Sequence, residues 1–357
     1  MKRVLLIALG LLFIQSLFAD IPSGYYTNAT SSGYTLKTQL YNIIKDHISV
    51  SYTPGVWDAI YTTDIKSNGY VWDMYSDQPG GTPAYDYTLG SDQCGNYSGE
   101  GSCYNREHSF PKSWFDDASP MYTELFHLYP TDGYVNGKRN NYPFGEVGSA
   151  SWTSTNGSKL GTSNYPGYSG TVFEPIDEYK GDFARTYFYM ATRYENVISS
   201  WPGSAMLNGT NNQCYTDWAL SMLIEWHTND PVSKKEQDRN DAIYAIQHNR
   251  NPYIDHPEFV NIIWSGEVST SSDLEDLSED AISIYPNPTK GQVNLKFDKK
   301  DEINTIKIYN LLGERIIQIN MLNKNNYTID LSKYPKGIYI VQISNEESNR
   351  VRKIILK

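Results

Sequence analysis

Apolar residues recur three or four positions apart in four stretches of the first 265 residues. Such spacing places them on one face of a helix, so each stretch is predicted to be helical. The stretches are the region of Leu36, Leu40, Ile43, Ile44 and Ile48 with Thr35 as start signal, then residues 183–198, 218–226 and 230–248. The second of these predicted helices is capped by Asp182 and is amphipathic, with Arg185 and Arg193 near one side. The last begins with Asp230 followed by Pro231.

Other stretches favour strands or loops. Residues 70–87 are aromatic and β-branched and are broken by the turn sequence at residues 78–81, which predicts two short strands. Residues 148–172 are rich in Ser, Thr, Gly and Asn, which predicts a long surface loop. From residue 281 onward, apolar and polar residues alternate, and seven short strands of a small β-sandwich are predicted. These are residues 282–285, 292–297, 305–309, 315–319, 327–331, 337–343 and 351–356.

The same patterns divide the chain into domains. Lys2 and Arg3 precede an apolar run over residues 4–18, which is typical of a signal peptide at residues 1–19 and too short to span a bilayer. Residues 20–265 then form a mixed α/β domain. Residues 266–280 are rich in Ser and acidic residues and favour a linker, and residues 281–357 form the all-β domain. The predicted fold class is therefore α+β.

Charge and composition narrow the expected partners. Residues 20–265 carry 15 Lys and Arg against 28 Asp and Glu. A general nucleic-acid binder would be basic, because neutralising phosphates supplies most of its affinity. Any contact with nucleic acid must therefore be local and sensitive to salt. The 30 Tyr and 8 Trp suit either the core or a surface that meets sugars, bases or protein.

The cysteines allow one local disulfide. Cys94 and Cys103 bracket the glycine-rich loop GNYSGEGS, which permits a tight reversal. Cys214 is then left over, either buried as a small apolar residue or free. No spacing of His and Cys indicates zinc.

The candidate chemistry lies in two segments. Glu107 and His108 are adjacent in YNREHSFPKSWF, and Asn136 follows 28 residues after His108. A strand would point the adjacent pair to opposite faces, whereas a bent strand end could aim both at one cavity. Phosphodiester hydrolysis needs a base, a cation and phosphate-holding donors. Glu107 and Asn136 supply the oxygen ligands that suit Mg²⁺, which leaves His108 as the base.

The longer strings resemble a known family. YNREHSFPKSWF, ELFHLYPTDGYVNGKRNNYPFGE, DFARTYFYMATRY and NRNPYIDHPE stand in the order found in the endonuclease I family of secreted nucleases and span most of residues 30–260. The resemblance implies a fold around a ββα-metal motif and cleavage of DNA, often also RNA, without marked sequence preference. By position, His108 matches the general base, and Glu107 and Asn136 match the metal ligands. The metal is expected to be Mg²⁺, with Mn²⁺ or Ca²⁺ able to occupy the same site.

The family also implies an arginine that holds the phosphate. Arg139 is the first choice because it lies three residues after Asn136, and a surface arginine is the alternative. Arg185 and Arg250 are second choices and are more typical of structural residues. The family often has two histidines, or His then Asn, before the metal Asn, whereas this chain has Phe126 then His127. His127 is expected to orient a neighbour or to fill a polar core position.

The tail resembles a second family. YPNPTKG, KIYNLLGE, DLSKYPKGIYIVQI and the final KIILK are similar to the C-terminal sorting domain of the Bacteroidetes type IX secretion route. This resemblance implies export across the outer membrane, commonly with cleavage of the tail. A carbohydrate-binding or adhesive module that stays attached is the alternative.

The resulting hypothesis is a secreted or surface-exposed, metal-dependent, non-specific endonuclease. Its expected partners are nucleic acid and the secretion machinery, without membrane insertion and as a monomer. Two alternatives stay open. One is an exported, aromatic-rich adhesin or glycan-binding protein in which Glu107 and His108 are inert. The other is an exported phosphodiesterase for small or lipid substrates.

Overall fold

The structure is a computed structural model that describes residues 21–264, 282–297, 303–310, 315–322, 326–344 and 349–357. The predicted signal peptide at 1–19 and the predicted linker at 266–280 lie outside these ranges. The chain separates into two compact units, one containing residues 38–259 and the other containing residues 260–357 together with 30–37. No helix within the described ranges has both the length and the hydropathy needed to cross a bilayer.

Residues 21–264 combine helices with short strands, so the predicted mixed α/β class is confirmed. The strands form two antiparallel sheets, in the orders β1-β2 and β3-β4-β5. The helices are α1 (Gly33–Ile44), α2 (Gly55–Thr63), α3 (Gly133–Arg139), α4 (Lys180–Arg193), α5 (Asp217–Asn229), α6 (Lys234–Gln247), α7 (Pro252–Asp255) and α8 (Phe259–Trp264). The strands are β1 (Tyr104–His108), β2 (Leu128–Asp132), β3 (Val147–Thr153), β4 (Lys159–Ser163) and β5 (Thr171–Glu174).

The first helix follows the apolar pattern closely. Leu36, Leu40 and Ile44 recur every four residues on α1 and are fully buried. The helix begins at Gly33, before the predicted start at Thr35, and ends before Ile48, whose side chain is 50% exposed. The pattern did not predict the separate short helix α2.

The central helix α4 differs from its prediction. It was expected to be amphipathic with a cap at Asp182, but it begins at Lys180 and all fourteen of its residues are buried. Its polar side is covered because Arg185 donates to both carboxylate oxygens of Glu236, at 2.5 and 2.8 Å. The ion pair allows a helix with charged residues to be enclosed on every side.

The later helices are confirmed with one change of cap. Helix α5 contains the whole predicted segment. Helix α6 is capped by Ser233, whose side chain accepts from the Glu236 N–H while the Glu236 carboxylate accepts from the Ser233 N–H. Asp230, the predicted start, instead accepts from the Gly181 N–H at 2.8 Å. Tertiary contacts therefore use the aspartate that resembled a cap.

Two local predictions were wrong. Residues 70–87 form isolated bridges and turns instead of two strands, because the buried Asp73 carboxylate accepts from the Tyr75 N–H and the Ser76 hydroxyl and bends the chain. Residues 148–172, predicted to be a loop, contain most of the sheet β3-β4-β5. Only Val172 and Phe173 in β5 carry a clear buried apolar signal, since β3 is largely exposed. Strands this polar resemble loops in composition.

All seven predicted C-terminal strands are present. They are β6 (Ile282–Tyr285), β7 (Gln292–Phe297), β8 (Ile303–Asn310), β9 (Arg315–Leu322), β10 (Asn326–Asp330), β11 (Gly337–Ser344) and β12 (Asn349–Leu356). Two antiparallel sheets, ordered β10-β7-β6 and β12-β11-β8-β9, share one core. Alternate residues of β7, β8, β11 and β12 are buried in this core, as the sequence pattern predicted. The buried core side chains are Val293, Leu295, Ile306, Ile308, Ile329, Leu331, Tyr339, Val341, Ile343, Ile354 and Leu356.

Candidate active site

A ββα unit carries the residues singled out by the sequence. Strand β1 pairs with β2 in regular register over all five residue pairs, and α3 begins directly after β2. Asp132, the last residue of β2, caps α3, since its Oδ1 accepts from the N–H groups of Tyr134 at 2.7 Å and Val135 at 2.9 Å. The predicted site residues on this unit are Glu107, His108, Asn136 and Arg139.

The cap of α3 is anchored to the preceding loop. Asp132 Oδ2 accepts from the hydroxyl of Tyr87 at 2.6 Å, the hydroxyl of Tyr85 at 2.9 Å and the N–H of Gly101 at 2.8 Å. Gly101 belongs to the loop that a disulfide between Cys94 and Cys103 closes. One buried carboxylate thus fixes both the start of α3 and the disulfide loop.

Glu107 and Arg139 form a buried ion pair. Arg139 Nη1 lies 3.1 Å from Glu107 Oε1, and the Tyr75 hydroxyl donates to the same oxygen at 2.9 Å. The guanidinium also donates to the carbonyls of His108, at 3.1 Å, and Ser109, at 2.6 Å. Burial raises the pKa of Glu107, and the positive charge of Arg139 opposes that rise.

The structure places Arg139 away from the surface. The side chain is 1% exposed and is held by Glu107 and by backbone carbonyls, so it is not a surface arginine, and these contacts are those of a residue that positions its neighbours. A helical spacing of three residues from Asn136 gave the right neighbourhood but could not show how deeply the side chain is buried. Arg139 positions the end of β1.

Asn136 meets β1 two residues before Glu107. Its Nδ2 donates to Asn105 Oδ1 at 2.8 Å. Asn105 and Glu107 are two residues apart on a strand and therefore share one face, while Asn136 and Arg139 are three apart on α3. Helix α3 thus runs beside this face of β1, with Asn136 at Asn105 and Arg139 at Glu107.

His108 lies on the opposite face of β1. Its Nε2 donates to the Tyr122 carbonyl at 3.0 Å, and because a carbonyl only accepts, the lone pair of the ring is on Nδ1. The ring stacks on Tyr52, with centroids 5.9 Å apart and planes at 17°. Burial, followed by the repulsion of His127, lowers the pKa of His108 to about 3. The imidazole is therefore neutral near pH 7 and can accept a proton.

The structure does not bring all the predicted residues into one set of contacts. Glu107, Asn136 and Arg139 gather on one face, whereas the His108 side chain contacts aromatic rings and a carbonyl on the other. Within the described ranges, the His108 and Glu107 side chains share no hydrogen-bond partner. The expected bend at the strand end is absent from this part of the chain, since the register stays regular as far as His108↔Leu128.

The donor atoms fit a hard cation with few protein ligands. Among the described residues, Glu107 Oε2 and Asn136 Oδ1 have no hydrogen-bond partner, because the ion pair uses Glu107 Oε1 and the Asn136 bond uses Nδ2. One carboxylate and one amide oxygen, completed by water, are ligands that Mg²⁺ accepts. No group of three or more His, Cys, Asp or Glu side chains suited to a metal occurs in the described part of the chain.

His127 is a buried neighbour of His108. It is fully buried, its Nε2 donates to the Met121 carbonyl at 2.7 Å, and its ring centroid lies 5.4 Å from that of His108. Burial lowers the pKa of His127 to about 4, so it too is neutral near pH 7. These contacts are those of a polar core residue that packs against the His108 ring.

The second-choice arginines are structural. Arg185 is paired with Glu236 beneath α4. Arg250 is paired with Asp241 at 2.7 Å and Asp255 at 2.7 Å. Both guanidinium groups are thus held by carboxylates, and the Arg250 Nη1 that has no partner among the described residues is buried.

Sequence reasoning missed three residues that hold the site. Asp132 was detectable, since an aspartate followed by glycine before a helix is a common cap. Asn105 was detectable only once Glu107 was placed on a strand. Tyr75 gave no signal, because its contact with Glu107 joins positions 32 residues apart.

Two family models match the chain. Residues 32–258 match the family described as Endonuclease I, which is more than half of the chain, and residues 283–357 match the family described as Secretion system C-terminal sorting domain. The protein is thus a nuclease that is exported to the cell surface or beyond. It belongs to the endonuclease I family.

Named relatives fall in the same class. An extracellular ribonuclease of Bacillus amyloliquefaciens is 37% identical over 69% of this chain and 79% of that protein. An extracellular ribonuclease of Bacillus subtilis (strain 168) is 35% identical over 69% of this chain and 80% of that protein. Endonuclease-1 of Buchnera aphidicola subsp. Acyrthosiphon pisum (strain APS) is 27% identical over 37% of this chain and 44% of that protein. The first two matches extend through most of both chains.

Proposed function

We propose that this protein is a divalent-metal-dependent, non-specific endonuclease that hydrolyses phosphodiester bonds of DNA and of RNA. Family membership supports the nuclease activity, and the relatives named endonuclease-1 and extracellular ribonuclease support both substrates. The observation that carries the proposal is the neutral His108 imidazole on the same ββα unit as Glu107 and Asn136.

His108 acts as the general base. The Tyr122 carbonyl holds the hydrogen on Nε2, which leaves Nδ1 to take a proton from the attacking water. The aromatic contacts with Tyr52 and Tyr122 fix the plane of the ring. Burial and the neighbouring His127 lower the pKa of His108, so the ring is in its neutral form near pH 7, the form in which Nδ1 carries a lone pair.

Glu107 and Asn136 would hold the cation, since Oε2 and Oδ1 are their oxygens without a hydrogen-bond partner among the described residues. Mg²⁺ bound there would supply positive charge to stabilise the negative charge that develops during hydrolysis. The positive charge of Arg139 opposes the rise in pKa that burial causes at Glu107, and Asn105 turns the Asn136 amide so that its oxygen is available. Glu107 and His108 are consecutive at the end of β1, so we place the scissile phosphodiester at that end of the strand.

The substrate class is tested with the full-length protein on three substrates, each in Mg²⁺ and in EDTA. We expect supercoiled plasmid DNA and a structured RNA to be cut only in Mg²⁺, and a small chromogenic phosphodiester to be cut poorly. Cleavage of the small diester alone would favour a phosphodiesterase of small or lipid substrates. Equal cleavage of the nucleic acids in EDTA would contradict the metal dependence.

A further inference from the structure

Arg106 is held in an unusual way beside His108. Its guanidinium carbon lies 3.5 Å from the centre of the Tyr52 ring and 4.3 Å from that of Trp57. Its Nη1 donates to the Tyr52 carbonyl and, at 3.0 Å, to the Thr53 hydroxyl. Nε and Nη2 have no acceptor among the described residues, so the planar group is fixed while part of its donor edge stays open.

The three arginines that the sequence suggested for phosphate binding are each paired with a carboxylate side chain. Arg139 is paired with Glu107, Arg185 with Glu236, and Arg250 with Asp241 and Asp255. Arg106 has no carboxylate partner within the described ranges. Burial lowers its pKa, and Tyr52 and Tyr122 oppose that shift. In a chain with a net charge of −11, a partly buried arginine without a carboxylate is a local positive centre suited to an anion.

Arg106 also lies on the side of β1 that carries the proposed base. Arg106 and His108 are two residues apart on a regular strand and therefore share a face. The Tyr52 ring contacts both side chains, and the Tyr122 ring centroid lies 4.6 Å from that of Tyr52. Lys112 extends the same surface, with its Nζ 5.5 Å from the centre of the Tyr122 ring.

We propose that Arg106 and Lys112 form a phosphate subsite that holds the nucleic-acid backbone next to His108. This inference rests on the proposed function and names the residues that bind its substrate. Arg106 supplies planar donors, and Lys112 supplies an exposed charge that is shared with Asp117. The subsite explains how an acidic protein engages a polyanion, since two cations flank the tyrosines that pack around the base.

The salt dependence of binding tests the subsite. Affinity of the full-length protein for a fluorescein-labelled DNA duplex is measured in EDTA by anisotropy between about 50 and 200 mM NaCl. Each lost phosphate contact makes the slope of log affinity against log salt shallower by about 0.9. Between about 50 and 200 mM NaCl, the variant then loses about 3.5-fold less affinity than the parent does. We expect Arg106→Gln and Lys112→Gln each to show this change, and Arg106→Lys to keep the slope of the parent.

Lys234→Gln is the matched control. Lys234 is an exposed lysine paired with Asp238, as Lys112 is with Asp117. Replacing either lysine by Gln changes the net charge of the protein by the same amount. An unchanged slope in both Gln variants, or an equal change in Lys234→Gln, overturns the subsite. If Arg106→Gln does not fold, the exposed Lys112 variant decides the question. If the parent cleaves nucleic acid in Mg²⁺ but the Gln variants keep the slope of the parent, the subsite alone is refuted. If the parent neither binds nor cleaves nucleic acid, the proposed function is refuted together with the subsite.

Discussion

Arg139 and Glu107 form a buried ion pair, Nη1 to Oε1 3.1 Å, that fastens the last residue of α3 to the end of β1. The same guanidinium bonds the carbonyls of His108 and Ser109. The chain segment that carries the proposed base and the carboxylate that is the proposed metal ligand are thus held by one side chain. The geometry of the site depends on a residue that itself has no access to substrate.

Replacing Arg139 is therefore expected to unfold the site. Arg139→Met leaves the Glu107 carboxylate buried without its cation, and we expect the free energy of unfolding to fall by about 3–5 kcal/mol. Because only the Tyr75 hydroxyl then opposes the effect of burial on Glu107, the pKa of Glu107 rises further, and we expect nuclease activity to be lost. Urea unfolding and plasmid cleavage measure the two effects.

The double variant Arg139→Met/Glu107→Gln is the control for this pair. It removes both charges, so its loss of stability should be smaller than the sum of the two single losses. If Arg139→Met were as stable as the parent and changed only the salt dependence of binding, Arg139 would be a phosphate contact after all.

The cap of α3 gives a second prediction. In the parent, both carboxylate oxygens of Asp132 accept hydrogen bonds from N–H or O–H groups. Asp132→Asn replaces one of these oxygens by an amide NH₂, which then faces other donors and cannot accept from them. We expect a loss of about 2–4 kcal/mol in unfolding free energy, together with weaker activity because α3 carries Asn136.

Asp217→Asn is the control for the cap. Asp217 lies in the first turn of α5, and its carboxylate accepts from the exposed amide of Gln213. That substitution should change stability by less than about 0.5 kcal/mol. Comparable losses in the Asp132 and Asp217 variants would mean that the Asp132 network has no special role.

Stability should fall in acid through His227. Burial, followed by the positive charge of Arg185, lowers the pKa of His227 to about 4, below the value near 6.5 of an unfolded chain. Between these values the unfolded chain binds more protons, so stability is full above the unfolded pKa and is lost as pH falls through the folded pKa. The contribution is on the order of 2–3 kcal/mol for this buried ring.

Urea unfolding of His227→Gln at about pH 7 and about pH 4.5 checks this contribution. The variant should lose less stability than the parent between the two conditions. His256→Gln is the comparison, because His256 is partly exposed and paired with Glu258, and it should lose stability as the parent does. Equal losses in His227→Gln and the parent would show that His227 does not titrate as described.

The sequence predicted the elements whose signal is local and repetitive. The alternating pattern located every strand of the C-terminal sandwich, and helices α1 and α5 followed from apolar spacing. The prediction from sequence was wrong over residues 148–172, where three polar strands have the composition of a loop. It was also wrong over residues 70–87, where hydrogen bonds to the Asp73 carboxylate form turns in place of paired strands. In both cases the outcome depends on contacts that sequence spacing does not contain.

The candidate site divides in the same way. The family resemblance placed Glu107, His108 and Asn136 on one ββα unit, and the two strings that carry them are separated only by residues 116–123. The environment of each side chain depended on distant residues, so the burial of Arg139 and the contact of Tyr75 with Glu107 were not foreseen. Arg106 was overlooked because its distinguishing feature is the carboxylate that it lacks.

The role of His108 as the proposed base is tested most directly by cleavage of DNA. Cleavage of supercoiled plasmid by the full-length protein in Mg²⁺ is compared among the parent, His108→Ala and His256→Ala, with an EDTA sample of each. We expect the parent and His256→Ala to cut alike and only in Mg²⁺, and His108→Ala to be slower by about 10²–10⁴-fold. If His108→Ala, folded like the parent, cuts at the rate of the parent, His108 is not the base and the account of the site is wrong.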